Sequence, residues 1–202
     1  MTDAVIHVID DDAAMRDSLV FLLESAGHSA RSYDSAGAFL DALSDLPPGC
    51  IVTDIRMPDM SGLDLVRRLK ELGIRQPVIV ITGHGDVPLA VEAMKAGVID
   101  FLEKPFDDSV MLEAIRTALQ AGETQQREEG RQAEIRERIA TLSAREREVL
   151  DRLVLGRPNK VIAGELGISA RTVEIYRANV MTKMRAGSLS ELVRMALLAE
   201  GG

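Results

Sequence analysis

Short apolar runs rich in β-branched residues alternate with segments of helical periodicity along the first part of the chain. The runs are residues 5–9, 29–33, 50–53, 77–82 and 98–102. Between and after them, leucine, valine and methionine recur at three- and four-residue spacing, as a buried helix face requires. These segments are residues 13–26, 35–44, 61–72, 87–96 and 107–121. Strands that alternate with helices favour a parallel sheet, so the pattern predicts an α/β domain of five β-α units.

Acidic side chains end two of the predicted strands. In a flavodoxin-like sheet of order 2-1-3-4-5, ligands bind beyond the carboxyl ends of the first and third strands. Asp10 and Asp11 end the first strand and Asp54 ends the third. Converging carboxylates repel each other and need a cation, and an all-oxygen site suits Mg²⁺ or Mn²⁺. We expect Asp12, which precedes a helical segment, to serve mainly as the N-cap of that helix.

Two further polar residues end the fourth and fifth predicted strands. Thr82 closes the run 77–82, and Lys104 follows the run 98–102. Because the carboxyl ends of parallel strands meet at one edge of the sheet, we expect the hydroxyl and the ammonium to face the same ligand. A surface lysine in solvent is the alternative for Lys104.

Residues 1–122 resemble the receiver domain of bacterial response regulators. The resemblance rests on the motifs Ile9-Asp10-Asp11-Asp12, Asp54-Ile-Arg-Met-Pro-Asp-Met-Ser-Gly62, Thr82-Gly-His-Gly-Asp86 and Lys104-Pro105-Phe106. It implies that Asp54 accepts a phosphoryl group from a sensor histidine kinase. It also implies that Asp11, Asp54 and the backbone carbonyl of Arg56 bind Mg²⁺, with Asp10 acting through a metal-bound water.

The same resemblance implies roles for residues around the phosphoryl group. Thr82 and Lys104 would contact its oxygens, and Thr82 and Phe101 would form the switch pair, with an ordinary core phenylalanine as the alternative for Phe101. The Lys104-Pro105 bond resembles the family's cis peptide. The segment 87–96 corresponds to the face that dimerises on phosphorylation, where Val91 and Lys95 are candidate contacts unless they are ordinary helix surface.

Composition and charge indicate two domains of different character. Residues 1–122 carry 20 acidic and 10 basic side chains, net −10, whereas residues 123–202 carry 12 and 14, net +2. An acidic half joined to a basic half suggests a regulatory domain beside a nucleic-acid binder. The single cysteine, Cys50, lies in an apolar strand and is expected to be buried. Without a signal peptide or a long apolar run, we expect a cytoplasmic protein with no membrane partner.

Residues 123–140 are rich in Glu, Gln and Arg and predict a charged, helical linker. Ile135, Ile139 and Leu142 fall at positions i, i+4 and i+7, which places them on one face of a helix. That face either packs on the C-terminal domain or forms a short dimeric coiled coil.

Residues 141–202 have the layout of a helix-turn-helix domain. Ser143 and Glu146 match a capping box, a short helix over 159–166 stops at Gly167, and a longer helix begins at Ser169. Six basic and two acidic side chains in residues 156–185 favour DNA as the ligand.

The longer helix would enter the major groove with its early residues nearest the bases. The candidates for base edges are Arg171, Glu174, Ile175 and Ala178. The candidates for phosphates are Lys160, Thr172, Arg177 and Lys183. For each charged side chain, a solvated surface position is the alternative. The predicted core residues of this domain are Val161, Ile162, Leu166, Ile168, Val173, Val180 and Met184.

The C-terminal residues resemble the LuxR-type DNA-binding module. The motifs are Leu142-Ser-Ala-Arg-Glu-Arg-Glu-Val-Leu150, Asn159-Lys-Val-Ile-Ala163, Arg171-Thr-Val-Glu174 and Ser188-Leu-Ser-Glu-Leu-Val-Arg-Met-Ala196. The chain is similar over nearly its full length to the nitrogen-fixation response regulators of this family. The resemblance implies a phosphorylation-dependent homodimer that binds promoter DNA, acts with RNA polymerase and activates nitrogen-fixation or microaerobic genes.

Two other functions compete with this interpretation. A Mg²⁺-dependent phosphoaspartyl enzyme of the haloacid-dehalogenase type needs a second aspartate two residues after the nucleophile, where this chain has Arg56. A receiver that acts only through protein contacts does not need the basic helix-turn-helix. We therefore predict a regulator and not an enzyme, apart from phosphotransfer to Asp54 and self-dephosphorylation.

Overall fold

The computed structural model describes residues 4–83 and 87–200. By internal contacts the chain divides into two compact units after Gln125. The proposed domain ranges, 1–122, 123–140 and 141–202, remain a prediction.

The first unit is a five-stranded parallel sheet between helices. Its strands lie in the order β2-β1-β3-β4-β5, which confirms the predicted flavodoxin-like class. The elements in chain order are β1 Val5–Ile9, α1 Ala13–Ser25, β2 Ser29–Tyr33, α2 Ala36–Asp41, a 3-10 helix Leu43–Asp45, β3 Gly49–Asp54, α3 Gly62–Glu71, β4 Val78–Thr82, α4 Val87–Ala96, β5 Asp100–Glu103 and α5 Asp108–Ala140.

The sheet is buried on both faces because helices cover each side of it. One core contains Ile9, Ile51 and Val80, and the other contains Ile6, Val52 and Ile79. Cys50 is buried in β3, as predicted, and burial raises the pKa of its thiol to about 12. No helix within residues 4–83 and 87–200 combines the length and the apolarity that crossing a bilayer requires.

Short polar caps start the helices that lead away from the strand ends. Asp12 Oδ1 accepts hydrogen bonds from the backbone N–H groups of Ala14 and Met15, at 2.9 and 3.4 Å, which confirms its predicted N-cap role. Ser61 caps α3 in the same way through the N–H of Asp64, at 3.1 Å. The helices therefore begin beside the carboxyl ends of β1 and β3.

Three elements differ from the sequence prediction. The helix expected over residues 35–44 is shorter and gives way to the 3-10 helix, and the fifth strand begins at Asp100 instead of residue 98. Helix α5 continues without a break to Ala140, so the linker expected over residues 123–140 is helical, as predicted, but it is continuous with the helix expected over residues 107–121. The Glu, Gln and Arg residues of that stretch are good helix formers, so intrinsic propensity extends the helix where apolar residues are few.

The second unit contains the end of α5 and four further helices. They are α6 Ala144–Val154, α7 Asn159–Leu166, α8 Ala170–Met184 and α9 Leu189–Glu200. The capping box predicted for Ser143 and Glu146 is present at the start of α6. Gly167 ends α7 with a φ of +65°, a left-handed conformation that glycine adopts at little cost.

The core of the second unit draws on all of these helices. Ile135 and Ile139 are buried in it and Leu142 packs against it, so this apolar stripe packs within its own unit, the first of the two predicted alternatives. Ile162, Val173, Val180 and Met184 are fully buried, and Leu166 and Ile168 pack around them, as predicted. Val161 is 41% exposed, so its assignment to the core was wrong. It lies one residue, about 100° of rotation, off the buried stripe of α7.

Candidate functional site

One lysine joins the carboxylates at the ends of β1 and β3. Lys104 Nζ lies 2.9 Å from Asp10 Oδ2 and 2.7 Å from Asp54 Oδ1. Asp10 is 1% exposed and Asp54 is 6% exposed. Lys104 follows β5, so three strands deliver these groups to one edge of the sheet, as the sequence analysis expected.

The charges at this edge do not balance. Burial alone would lower the pKa of Lys104, but its hydrogen bonds with Asp54 and Asp10 outweigh burial and raise that pKa. The ammonium therefore stays charged between the two carboxylates. The nearby Asp11 adds a third carboxylate in an exposed position. The two carboxylates beside one ammonium leave a net negative charge, which favours a divalent cation at this edge.

The oxygen donors fit Mg²⁺. This ion takes one or two carboxylates and fills its other positions with water and phosphate oxygens, so it does not need an all-protein cage. In the described part of the chain, no three His, Cys, Asp or Glu side chains form a ready-made metal cluster. The predicted ligand set of Asp11, Asp54 and the carbonyl of Arg56 meets this requirement without such a cluster.

The backbone around Asp54 holds its side chain in a fixed position. The N–H of Arg56 donates to Asp54 Oδ2 at 2.6 Å. The N–H of Gly62 donates to the carbonyl of Ile55 at 3.0 Å, which brings the start of α3 against the end of β3. A Cβ at Gly62 would lie 2.2 Å from the carbonyl oxygen of Asp54, so only glycine fits there.

The loop after β1 is fixed by Arg16, which the sequence analysis did not single out. Its Nη1 donates to the carbonyl of Asp10 at 2.6 Å, and Asp10 Oδ1 accepts from the N–H of Asp12 at 2.9 Å. Arg16 therefore holds the peptide that joins Asp10 to Asp11. Its only sequence signal is a position one turn after the N-cap.

The predicted switch residues lie on β4 and β5. Thr82 is fully buried at the end of β4, and its carbonyl accepts a hydrogen bond from the N–H of Lys104 at 2.7 Å. Phe101 pairs with Val80 in the sheet and is half-buried against the core. The Lys104-Pro105 peptide is cis. Residues 84–86, which complete the motif that begins at Thr82, lie outside the described residues.

Helix α4 presents an apolar stripe. Val87, Val91 and Met94 are 77%, 46% and 54% exposed and follow each other at i, i+4 and i+7. The predicted dimer contacts Val91 and Lys95 are both exposed on this helix. The exposure of Val87 and Met94 was not predicted, because their spacing is also that of a buried helix face.

The predicted base-reading residues share one face of α8. Arg171, Glu174, Ile175 and Ala178 are all exposed and fall at i, i+3, i+4 and i+7. Ile175 is 56% exposed. A large apolar side chain in such a position is suited to contact with a thymine methyl.

The four predicted phosphate contacts occupy different environments. Lys160 is exposed, and Arg177 is half-buried. Thr172 is half-buried near the helix start, where its Oγ1 lies 2.8 Å from the Oγ of the N-cap Ser169. Lys183 instead pairs with Glu146 at 2.6 Å, so its ammonium is engaged within the domain.

Arg185 is an exposed cation that the sequence analysis did not select. It follows α8 with a φ of +54°, a conformation uncommon outside glycine. Its position after the longer helix and before Gly187 was the only available signal.

Comparison with known proteins agrees with both halves of this description. Residues 6–116 match the response regulator receiver domain, and residues 140–196 match the luxR family of bacterial regulatory proteins. The transcriptional regulatory protein FixJ of Azorhizobium caulinodans is 61% identical over 194 residues, which cover 96% of this chain and 92% of that protein.

Solved structures give the same result. Full-length FixJ from B. japonicum is 54% identical, with a TM-score of 0.61 and coverage of 99% of this chain and 98% of that one. The response regulator StyR, solved at low resolution, is 39% identical, with a TM-score of 0.81 and coverage of 97% and 99%.

The receiver and the helix-turn-helix together define a phosphorylation-dependent transcriptional regulator. The chain belongs to the response regulators with a LuxR-family DNA-binding domain and is FixJ-like over nearly its whole length. The predicted family, fold class and regulatory function are thereby confirmed. Neither matched family supports the phosphoaspartyl-enzyme alternative.

Proposed function

We propose that Asp54 is the phosphoacceptor of this regulator and that its phosphorylation drives dimerisation and promoter binding. The observation that carries the proposal is the nearly buried carboxylate of Asp54, held at the end of β3 by the N–H of Arg56 and by Lys104. A group in this position has a fixed orientation and one cation already beside it. Phosphoryl transfer depends mainly on such positioning and on charge against the phosphoryl oxygens.

In the proposed reaction, an oxygen of Asp54 attacks the phosphorus of a phosphohistidine on a sensor kinase. The new O–P bond forms as the P–N bond breaks, and the electron pair of that bond stays on the kinase imidazole. Lys104 and the hydroxyl of Thr82 stabilise the phosphoryl oxygens. Asp11, Asp54 and the carbonyl of Arg56, with Asp10 acting through water, would hold Mg²⁺, which would supply positive charge against the phosphoryl oxygens. Small phosphodonors and slow hydrolysis of the acyl phosphate use the same groups.

We assign the surface for the kinase to the apolar groove next to Lys104. The groove has a volume of about 750 Å³ and is lined by α1 and the loop after β5, including Phe21, Leu22, Pro105 and Phe106. Phe21 is 74% exposed. A donor histidine must come close to Asp54. At the same edge, the apolar groove offers a surface against which the apolar face of a kinase helix can pack.

The output follows from the remaining sites. Thr82 and Phe101 shift in response to phosphorylation, and α4 forms the dimer face through Val91 and Lys95, together with Val87 and Met94. The exposed apolar stripe of α4 supports this assignment because a dimer would cover it.

The protein acts in the cytoplasm. On DNA, α8 occupies the major groove, and the residues at the bases are Arg171, Glu174, Ile175 and Ala178. Lys160, Thr172 and Arg177 contact phosphates, whereas Lys183 is paired with Glu146 within the domain. By similarity to FixJ, the regulated promoters are those of nitrogen-fixation or microaerobic genes, where the dimer acts with RNA polymerase.

The test compares the wild type with Asp54→Asn, each with Mg²⁺ and acetyl phosphate. Molecular mass and affinity for DNA fragments selected from a random-sequence library are measured. A dimer and tighter DNA binding are expected in the wild type alone. Equal dimerisation of the two proteins would show that Asp54 is not the input.

A further inference from the structure

The last turn of α8 is bonded to the end of α5 and the start of α6. Lys183 Nζ donates to Glu146 Oε2 at 2.6 Å and to the carbonyl of Thr141 at 3.3 Å. Arg138 Nη1 donates to the carbonyl of Met184 at 3.2 Å. Two cations from different helices thus fix one end of α8. We call these five residues the α8 anchor.

The burial of the Glu146 carboxylate favours its ion pair with Lys183. The side chain of Glu146 is buried, with the residue only 4% exposed, and also accepts the N–H of Ser143 at 2.7 Å in the capping box. Lys183, followed by the hydrogen bonds with Ser143, lowers the pKa of Glu146, so the carboxylate remains ionised. A buried carboxylate that loses its cation is costly, so a phosphate would have to compete with Glu146 for Lys183.

Lys183 also lies off the face of α8 that carries the base-reading candidates. It follows Arg171 by 12 residues. At 100° per residue, this spacing rotates it by about 120° from Arg171. Ile175 and Ala178 lie within about 40° of Arg171 by the same geometry. Arg177, six residues after Arg171, is rotated by the same angle to the other side. The ion pair with Glu146, and not the rotation alone, therefore distinguishes Lys183 from the phosphate candidates.

We propose that Lys183 and Arg138 are positioning residues for DNA recognition and that neither is a phosphate contact. The α8 anchor sets the angle of the recognition helix, and the residues that read the bases depend on that angle. The proposal rests on α8 being the recognition helix, and it replaces the assignment of Lys183 made from the sequence.

A small tilt of α8 at its anchored end displaces the opposite end of the helix. Helix α8 has 15 residues, so its length is about 22 Å. A tilt of about 5° at the anchored end moves the opposite end by about 2 Å. Bidentate contacts between side chains and base edges do not survive a displacement of that size. Arg171 and Glu174 lie in the half of α8 far from the anchor.

The test uses Glu146→Gln and Lys183→Met in the full chain, with Mg²⁺ and acetyl phosphate. The probe is a DNA fragment that the phosphorylated wild type selects from a random-sequence library. Glutamine can keep the capping box but cannot form the ion pair. We expect each variant to lose at least tenfold in affinity for the selected DNA. The salt dependence of binding by Lys183→Met should equal that of the wild type.

The double variant should bind the DNA no more weakly than the weaker single variant does, because both changes remove the same ion pair. A phosphate contact predicts the opposite pattern. Lys183→Met would then lower the slope of log affinity against log salt by about 0.9, and Glu146→Gln would bind as well as the wild type or better. That pattern would overturn the proposal. Failure of the wild type to select any sequence would instead count against DNA recognition itself.

Ser143→Ala is the matched control for stability. It removes the side-chain cap of α6, the hydrogen bond from the N–H of Glu146 to Ser143 Oγ at 3.3 Å, and leaves Lys183 beside Glu146. We expect lower thermal stability with unchanged DNA affinity well below the melting temperature. An affinity loss equal to that of Glu146→Gln would show that the α8 anchor contributes only to the stability of the domain. That result would refute a positioning role.

Discussion

Lys104 Nζ is shared between Asp54 Oδ1, at 2.7 Å, and Asp10 Oδ2, at 2.9 Å. The two carboxylates come from different strands, and both are nearly buried. The ammonium therefore offsets the electrostatic repulsion between the two carboxylates. It also occupies oxygens of the acidic site and repels any second cation there.

Replacing Lys104 with Met should therefore separate metal binding from phosphotransfer. We expect Mg²⁺ to bind about tenfold more tightly, a change of about 1.4 kcal/mol, because a competing positive charge is gone. Phosphorylation by acetyl phosphate should slow markedly, because the phosphoryl oxygens lose a cation. Isothermal titration with Mg²⁺ and a phosphorylation time course measure the two effects. Lys95→Met, on exposed α4, should change neither, and weaker Mg²⁺ binding by Lys104→Met would contradict this description of the site.

Gly62→Ala should damage the receiver through its backbone. The added Cβ would lie 2.2 Å from the carbonyl oxygen of Asp54, so β3 and α3 must move apart. We expect the free energy of unfolding to fall by about 1–3 kcal/mol, with slower phosphorylation of Asp54. Gly37→Ala is the control, because its added Cβ in α2 meets no atom within 4 Å beyond its chain neighbours and the backbone of its own helix. Urea unfolding compares them, and equal stability of the two variants would disprove the steric argument.

His7 should make the receiver less stable in mild acid. Burial beside Phe39 lowers the pKa of His7 below its ordinary value of 6.5, although Nε2 lies 3.1 Å from the carbonyl of Pro47. Between the folded pKa and 6.5, the unfolded chain binds a proton that the folded chain does not. The contribution of neutral His7 to the free energy of unfolding should therefore be complete above pH 6.5. It should decrease as the pH falls below that value.

Tyrosine fluorescence can follow this change, because the chain has no tryptophan and only two tyrosines. In a Tyr176→Phe background, Tyr33 reports unfolding of the receiver. Urea titrations at about pH 8 and about pH 5.5 should differ in midpoint, and the added change His7→Asn should reduce the difference. An unchanged difference would assign the effect to other groups.

Arg171 and Lys160 should affect DNA binding in different ways. Arg171→Ala should cost about 1–3 kcal/mol on the preferred sequence and relax the preference at one base pair. Lys160→Ala should weaken binding to all sequences alike and lower the salt slope by about 0.9. Selection from a random library and affinity at several salt concentrations distinguish the two effects. A uniform loss for Arg171→Ala would make it a phosphate contact.

The candidate site of the receiver was predictable because its residues lie at strand ends. Apolar runs locate β1, β3 and β4, and in a parallel sheet the residues that follow them must meet. Asp10, Asp54 and Lys104 could therefore be brought together from local patterns alone. The site needed only the order of the strands, which the fold class supplies.

Other features depend on contacts that no local pattern records. Lys183 looks like a DNA-facing cation in the sequence, because its partner Glu146 lies 37 positions earlier in the chain. Arg16 donates to a backbone carbonyl, a group that every residue has, so the residue types do not indicate this contact. Val161 shows that an apolar residue in a short helix can fall just outside the buried stripe. The exposed stripe of α4 has the spacing of a buried face, so the sequence does not reveal its exposure.

The α8 anchor has a reciprocal thermodynamic consequence. Arg138 donates to the carbonyl of Met184, and Lys183 donates to the carbonyl of Thr141. These bonds attach α8 to the segment through which the chain enters the DNA-binding domain. If the state of that segment changes DNA affinity by some factor, DNA must change the equilibrium of the segment by the same factor. Bound DNA should therefore slow hydrogen exchange at the end of α5, far from any base pair. The promoter would then act as an effector of the protein as well as its target.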